Sequence, residues 1–194
     1  KENIPCHCSL MAPDNEKIIT HISNFRKVKR IEDIVRIFFE IQKEVPSKLM
    51  MVGEGPEKEG AEQLCEQLGI QNKVIFFGNS NEIDKILCFS DLFLLPSETE
   101  SFGLAALEAM ACGVPVISSN SGGLPEVNFN GITGYLSNVG DVDDMAKNAL
   151  SILRTDAELD KFKKNALQSA KQFDILNILP LYEAVYEKAL QLNK

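Results

Sequence analysis

The chain has 194 residues, enough to bury one sizeable core and thin for two. Hydrophobic residues at 44% and charged residues at 25% are the balance of a globular protein, and a formal net charge of −8 excludes a general nucleic-acid binder, which needs a broad basic surface. The longest apolar stretches, such as Leu92-Phe93-Leu94-Leu95, are strand-sized, so no transmembrane span is expected, and Lys1-Glu2-Asn3-Ile4-Pro5 lacks the apolar centre of a signal peptide.

Residues 1–15 are polar, carry Pro5, Pro13 and Asp14, and read as a linker entering a domain. The absence of a starting Met suggests a fragment or a processed chain. Five cysteines (Cys6, Cys8, Cys65, Cys88 and Cys112), odd in number and without framework spacing, fit reduced thiols and a cytoplasmic setting. Cys6-His7-Cys8 invites a metal reading, but the other cysteines form no close pair and His21 falls in an expected strand; no metal is expected.

Segment 18–23 reads as a strand. Segment 30–44 reads as a helix, with Ile31, Ile34, Val35, Phe38 and Ile41 on one face. A strand at 49–52 closes on Gly53-Glu54-Gly55-Pro56, and a helix at 57–68 stops at Gly69. A strand at 74–77 precedes Gly78, a short helix occupies 82–89, and a strand occupies 92–95. Then come a helix at 102–111, a strand at 116–118 and a candidate sixth strand at 134–136. Helices at 142–154, 157–172 and 175–192 finish the chain. Buried-type strands alternating with helices predict an α/β fold with a parallel, doubly wound, Rossmann-like sheet covered on both faces. Ligands of such sheets sit beyond the carboxyl ends of the strands, so the loops after each strand are where function is sought.

After the first strand, Arg26, Lys27, Lys29 and Arg30 place four cations within five residues, just before a helix N-terminus. They read as a phosphate clamp or as a solvated basic turn. Gly53-Glu54-Gly55 fails the dinucleotide fingerprint, since residue 58 is Lys58, and fails the P-loop, since Gly60 is followed by Ala61. A tight turn with close backbone approach is the simpler reading, although close approach also suits a flat nucleobase. After the fourth strand, Ser101 is a plausible N-cap, which would free the backbone N–H groups of Phe102, Gly103 and Leu104 for a diphosphate. Glu100 precedes that terminus and Glu108 lies about one and a half turns inside the helix, so the two could flank one ligand and accept hydrogen bonds from sugar hydroxyls. Otherwise they are a loop charge and a helix-face charge. Gly122-Gly123 in the next loop is either a site wall or a plain connection.

The stretch from Glu100-Ser101-Phe102-Gly103-Leu104 through Glu108-Ala109-Met110-Ala111-Cys112-Gly113-Val114-Pro115 closely resembles the signature of the large family of retaining GT-B glycosyltransferases, including its E-x7-E spacing. Gly122-Gly123-Leu124-Pro125-Glu126 and Gly131-Ile132-Thr133-Gly134-Tyr135 resemble its later motifs, and the likeness covers roughly residues 17 to 172. It implies the C-terminal half of a two-domain enzyme: a donor-binding domain over 16–173, and a helix over 174–194, with Tyr182, Tyr186 and Leu190, returning toward a missing N-terminal domain. It also implies a UDP-sugar donor, no metal or other cofactor, and an acceptor held mainly by the missing half. The full enzyme would be a homo-oligomer without a membrane span, and the isolated half would be inactive.

Residue by residue, the resemblance implies Lys29 and Asn24 on the donor diphosphate, helped by the backbone of Phe102, Gly103 and Leu104 beside Ser101. Glu100 would meet donor-sugar hydroxyls, Glu108 the ribose, and Gly78 with Asn79 the base; Lys29 and Glu100 would be catalytic. The family usually has Arg where Asn24 stands, so Arg26 or Arg30 would supply the missing charge. His21 to Arg30 further resembles the branch of that family that begins bacillithiol biosynthesis by transferring N-acetylglucosamine from UDP to L-malate. Alternatives are a same-family enzyme with a lipid or glycan acceptor, or a non-catalytic nucleotide-binding module. A response-regulator-like module would carry acidic residues where this chain has Arg26 to Arg30.

Overall fold

The computed structural model describes residues 16–192. The strands are β1 (Lys17–Ile22), β2 (Ser47–Val52), β3 (Val74–Gly78), β4 (Leu92–Leu95), β5 (Val116–Ser119) and β6 (Gly134–Ser137). The helices are α1 (Ile31–Ile41), α2 (Lys58–Gln67), α3 (Ile83–Cys88), α4 (Leu104–Ala111), α5 (Leu124–Val127), α6 (Val142–Leu153), α7 (Asp156–Ala170) and α8 (Ile175–Leu192). All strand pairs are parallel, in the order β3-β2-β1-β4-β5-β6.

The side-chain alternation of each strand sorts the core into two layers. Ile19, Leu49, Met51, Leu92, Leu94 and Ile117 pack with residues of α1, α2 and α6. Phe93, Leu95 and Val116 point the other way, toward α4, α5 and part of α7. β4 is buried at every position, because a parallel strand inside a covered sheet meets helices on both faces.

Several element boundaries move by one to three residues, and two of these shifts bear on the site. The helix expected at 30–44 begins at Ile31, because Arg30 adopts a left-handed conformation (φ 53°, ψ 52°) that no right-handed helix accommodates. The helix expected at 102–111 begins at Leu104 with Gly103 (φ 94°) as its N-cap, and Ser101 makes no capping bond. The sixth strand forms, pairing Val116 with Gly134. α5 was expected as loop; Pro125 in its first turn suits a helix start.

α7 has a side-chain cap, the Thr155 hydroxyl accepting a hydrogen bond from the Glu158 N–H at 3.3 Å. Thr155→Ala should lower the unfolding free energy by about 1 kcal/mol in urea titrations. α8 packs on the turn Lys171–Phe173 and leaves Leu176, Leu181, Tyr182, Val185, Tyr186 and Leu190 exposed. The cysteine–histidine triplet Cys6-His7-Cys8 and the expected linker 1–15 lie outside the described residues.

Candidate functional site

The site forms where the winding reverses. β1 and β4 are neighbours paired at Ile19 with Leu92 and Thr20 with Phe93. β1 leads to α1 on one face and β4 to α4 on the other, so their outgoing loops separate and open a crevice. His21 spans the two strands just past the last pair, its ring 0% exposed. The Leu94 carbonyl, 2.8 Å from Nδ1, can only accept, so Nδ1 carries the proton and Nε2 accepts from the Ser23 hydroxyl at 2.7 Å. Burial pushes the imidazole pKa down to about 4, with the Lys29 charge adding to the effect, and the ring stays neutral. This fixes the start of the β1 loop.

The β2 loop is zipped to that loop. The Phe25 N–H donates to the Glu54 carbonyl at 2.9 Å, and the Glu57 N–H to the Phe25 carbonyl at 3.0 Å. A Cβ on Gly53 would lie 1.8 Å from the Ser23 carbonyl oxygen. The close approach at Gly53-Glu54-Gly55 is therefore to protein backbone rather than to a base.

The turn Lys27–Lys29 then brings Lys29 across the crevice to an ion pair with Glu100, each side chain mostly buried. Ser97, fully buried at the end of β4, donates its hydroxyl to the same Glu100 oxygen at 2.9 Å, and Ser119 donates to the Ser97 carbonyl at 2.5 Å. The Glu98 N–H donates to the Val28 carbonyl at 2.8 Å, tying the two loops together. From behind, the Gly123 N–H donates to the Glu100 carbonyl at 2.9 Å, and the Ser121 hydroxyl to the Glu98 carbonyl at 2.6 Å. Gly122-Gly123 thus braces the Glu100 loop.

Asn24 and Lys29 face Glu100, Ser101 and Phe102 across a cavity of 320 Å³ closed by Gly103 and Leu104. The first intrahelical bond of α4 runs from Leu107 N–H to the Gly103 carbonyl, so the free first-turn donors are those of Leu104, Ala105 and Ala106. Phe102, Gly103 and Leu104, whose backbone N–H groups were expected to be free, all line this cavity. Phe102 packs its ring edge-on to Phe173, centroids 5.9 Å apart, which anchors the terminus.

The remaining expected residues divide. Asn79 lines an adjoining 360 Å³ cavity that shares Ile22, Ser23 and Asn24 with the first. Gly78 ends β3, and its carbonyl accepts from Gly53 N–H at 2.9 Å. Glu108 does not line the cavity of Lys29 and Glu100. It lines a 370 Å³ cavity joined to the Asn79 cavity through Asn81 and Ile83, and a 430 Å³ cavity that shares Leu104 with the first. Glu100 and Glu108 thus line separate cavities that share Leu104, or Asn24, Asn81 and Ile83 by way of the Asn79 cavity. Neither Arg26 nor Arg30 is among the residues lining the Lys29 cavity: Arg26 is exposed, and Arg30 Nε bonds Asp33 Oδ2 at 2.5 Å. Ser97, Ser119, Ser80 and Asn81 had no signal in the sequence beyond their position after a strand.

Sequence and fold both have counterparts among known proteins. Residues 8–169 match the family model described as Glycosyl transferases group 1. The chain belongs to the group 1 glycosyl transferases. It is 45% identical over 182 residues to N-acetyl-alpha-D-glucosaminyl L-malate synthase of Bacillus anthracis, covering 93% of this chain and 48% of that protein. It is 28% identical to D-inositol 3-phosphate glycosyltransferase of Mycolicibacterium smegmatis, covering 92% of this chain and 42% of that one. This glycosyl transferase chain therefore spans about half the length of those relatives. Among solved structures, sucrose-phosphate synthase from Thermosynechococcus elongatus superposes with a TM-score of 0.85 at 26% identity, over 96% of this chain and 49% of that one. An Anabaena protein, HepE, solved with UDP, superposes with a TM-score of 0.85 at 23% identity, over 95% of this chain and 54% of that one, a likeness of fold alone. The six-stranded parallel sheet is thus that of GT-B glycosyltransferases. No helix among the described residues is long and apolar enough to cross a membrane.

Proposed function

We propose that this chain is the donor-binding half of a transferase that moves N-acetylglucosamine from UDP to L-malate, with retention. The observation that carries it is the Lys29–Glu100 pair set against the amino end of α4 at the β1/β4 switch point. The donor diphosphate sits on the first-turn N–H groups of α4, with Lys29 turning from Glu100 to a phosphate oxygen and Asn24 donating beside it. Glu100, released from Lys29 but still held by Ser97, accepts from donor-sugar hydroxyls. The ribose reaches Glu108, and the base lies against the Asn79–Asn81 loop. As the sugar–phosphate bond breaks, charge grows on the departing diphosphate where the cation and helix terminus already point, which needs no metal.

The malate acceptor rests on the 45% identity to the Bacillus anthracis synthase; a lipid or glycan acceptor on the same donor half is the alternative. The other half of the enzyme holds the acceptor and covers the apolar side chains of α8. The chain alone then binds UDP and transfers nothing. In calorimetry, Lys29→Met should weaken UDP binding by ten- to a hundredfold, about the worth of a charged hydrogen bond, and Glu108→Gln by about tenfold. Unchanged binding in both variants would refute the seat, and robust transfer to malate by this chain would refute its being a half-site.

A further inference from the structure

Cys88 and Cys112, expected as reduced thiols, stand at the ends of two helices. Cys88 is the last residue of α3 and Cys112 is the C-cap of α4. The Cys112 sulfur lies 3.9 Å from the Asp84 carbonyl oxygen. In a helix that carbonyl points toward the residue four places on, which is Cys88. The Cys112 sulfur thus lies against the last turn of α3, the turn that carries Cys88, and both thiols are free. Cys88 is exposed; Cys112 is half-buried and lines the 370 Å³ cavity that also holds Glu108, Asn81 and Ile83.

We propose that Cys88 and Cys112 form a reversible dithiol–disulfide site in the wall of the donor groove, oxidised by low-molecular-weight disulfides. The exposed Cys88 thiolate attacks a disulfide RSSR, forming Cys88–S–S–R and releasing one thiolate. Cys112, as its thiolate, then attacks the Cys88 sulfur, forming the Cys88–Cys112 bond and releasing the second. The two protein thiols give up two protons and two electrons, and RSSR becomes two RSH. The order of attack follows from the environment. Burial, with the neighbouring Cys88 thiol and then Asp84 and Glu108 adding to it, pushes the Cys112 thiol up to about 11, so it is slow to attack a free disulfide and serves as the resolving partner. The cross-link fastens the end of α3 to the end of α4. The segment it constrains carries Asn81 and Ile83 at its start and faces Glu108.

The test treats the folded chain with oxidised glutathione, alkylates the remaining thiols and maps the peptides. The expected product joins the Cys88 and Cys112 peptides, reverts with dithiothreitol, and raises the thermal midpoint. Cys112→Ser should trap glutathione on Cys88. A persistent glutathione adduct on Cys88 of the unsubstituted chain, with Cys112 still alkylated, overturns the proposal; so does a cross-link that forms only in denaturant. UDP at concentrations shown by calorimetry to saturate should slow cross-linking several-fold, since the ligand would cover Cys112. An unaltered rate overturns the placement of the pair in the donor wall, whereas failure of UDP to bind at all overturns the function proposed above and leaves the dithiol standing.

Discussion

Gly122→Ala should lower the unfolding free energy by about 3 kcal/mol and weaken UDP binding by about tenfold. Two costs add at this position. The backbone is left-handed (φ 58°), a conformation unfavourable for any residue with a Cβ. The new Cβ would also lie 1.9 Å from the Glu100 carbonyl oxygen, a contact that backbone must move to relieve. The movement falls on Glu100 itself, whose carbonyl is held by Gly123 N–H and whose side chain pairs with Lys29. Gly131→Ala separates the two costs: its φ is 74°, but nothing lies within 4 Å of the added Cβ. It should cost about 1 kcal/mol and leave UDP binding unchanged. Denaturant titrations and calorimetry on both variants check this; equal effects would remove Gly122 as a support of the Glu100 loop.

Stability should fall by about 3 kcal/mol on acidification from above pH 6.5 to pH 4 through His21 alone. The folded imidazole titrates at about 4 and the unfolded one near 6.5, because burial, partly offset by the Leu94 hydrogen bond, disfavours the charged ring. Between those values the unfolded chain binds a proton that the folded chain does not, so acid favours unfolding. The contribution is complete above pH 6.5 and gone below about 4. Carboxylates also respond in this range, so the informative quantity is the difference between the parent and His21→Gln. The variant should be less stable at pH 7, lacking a well-placed partner for Leu94, but should lose less stability on acidification. Parallel pH profiles would contradict a buried neutral His21.

Local patterns were enough to place the sheet and most helices. Ile31, Ile34, Val35, Phe38 and Ile41 recur at helical spacing, and all are buried on α1. Leu92 to Leu95 is a buried-type run and is buried throughout. The start of α4 was not legible, because a Ser at 101 and a Gly at 103 are each acceptable caps, and only the docked loop selects the glycine. Arg30 could not be foreseen as left-handed: nothing local favours it, and the Lys27–Lys29 turn must reach Glu100 while α1 still packs its apolar face.

The site divides on the same line. By its own spacing the sequence determined the doubly wound class, the loops after β1 and β4 as the place to look for a site, and residue types there that are able to bind anions and hydroxyls, since these follow from short-range periodicity and from chemistry carried by single residues. Tertiary structure alone decided that Lys29 meets Glu100 across 71 residues, that Glu108 lines a different cavity from theirs, that Ser97 and Gly122 brace the Glu100 loop, and that Arg30 turns to Asp33. The reason is that a side chain's partners are set by which strands become neighbours and which way each connection crosses the sheet, and no local pattern encodes distances between segments remote along the chain.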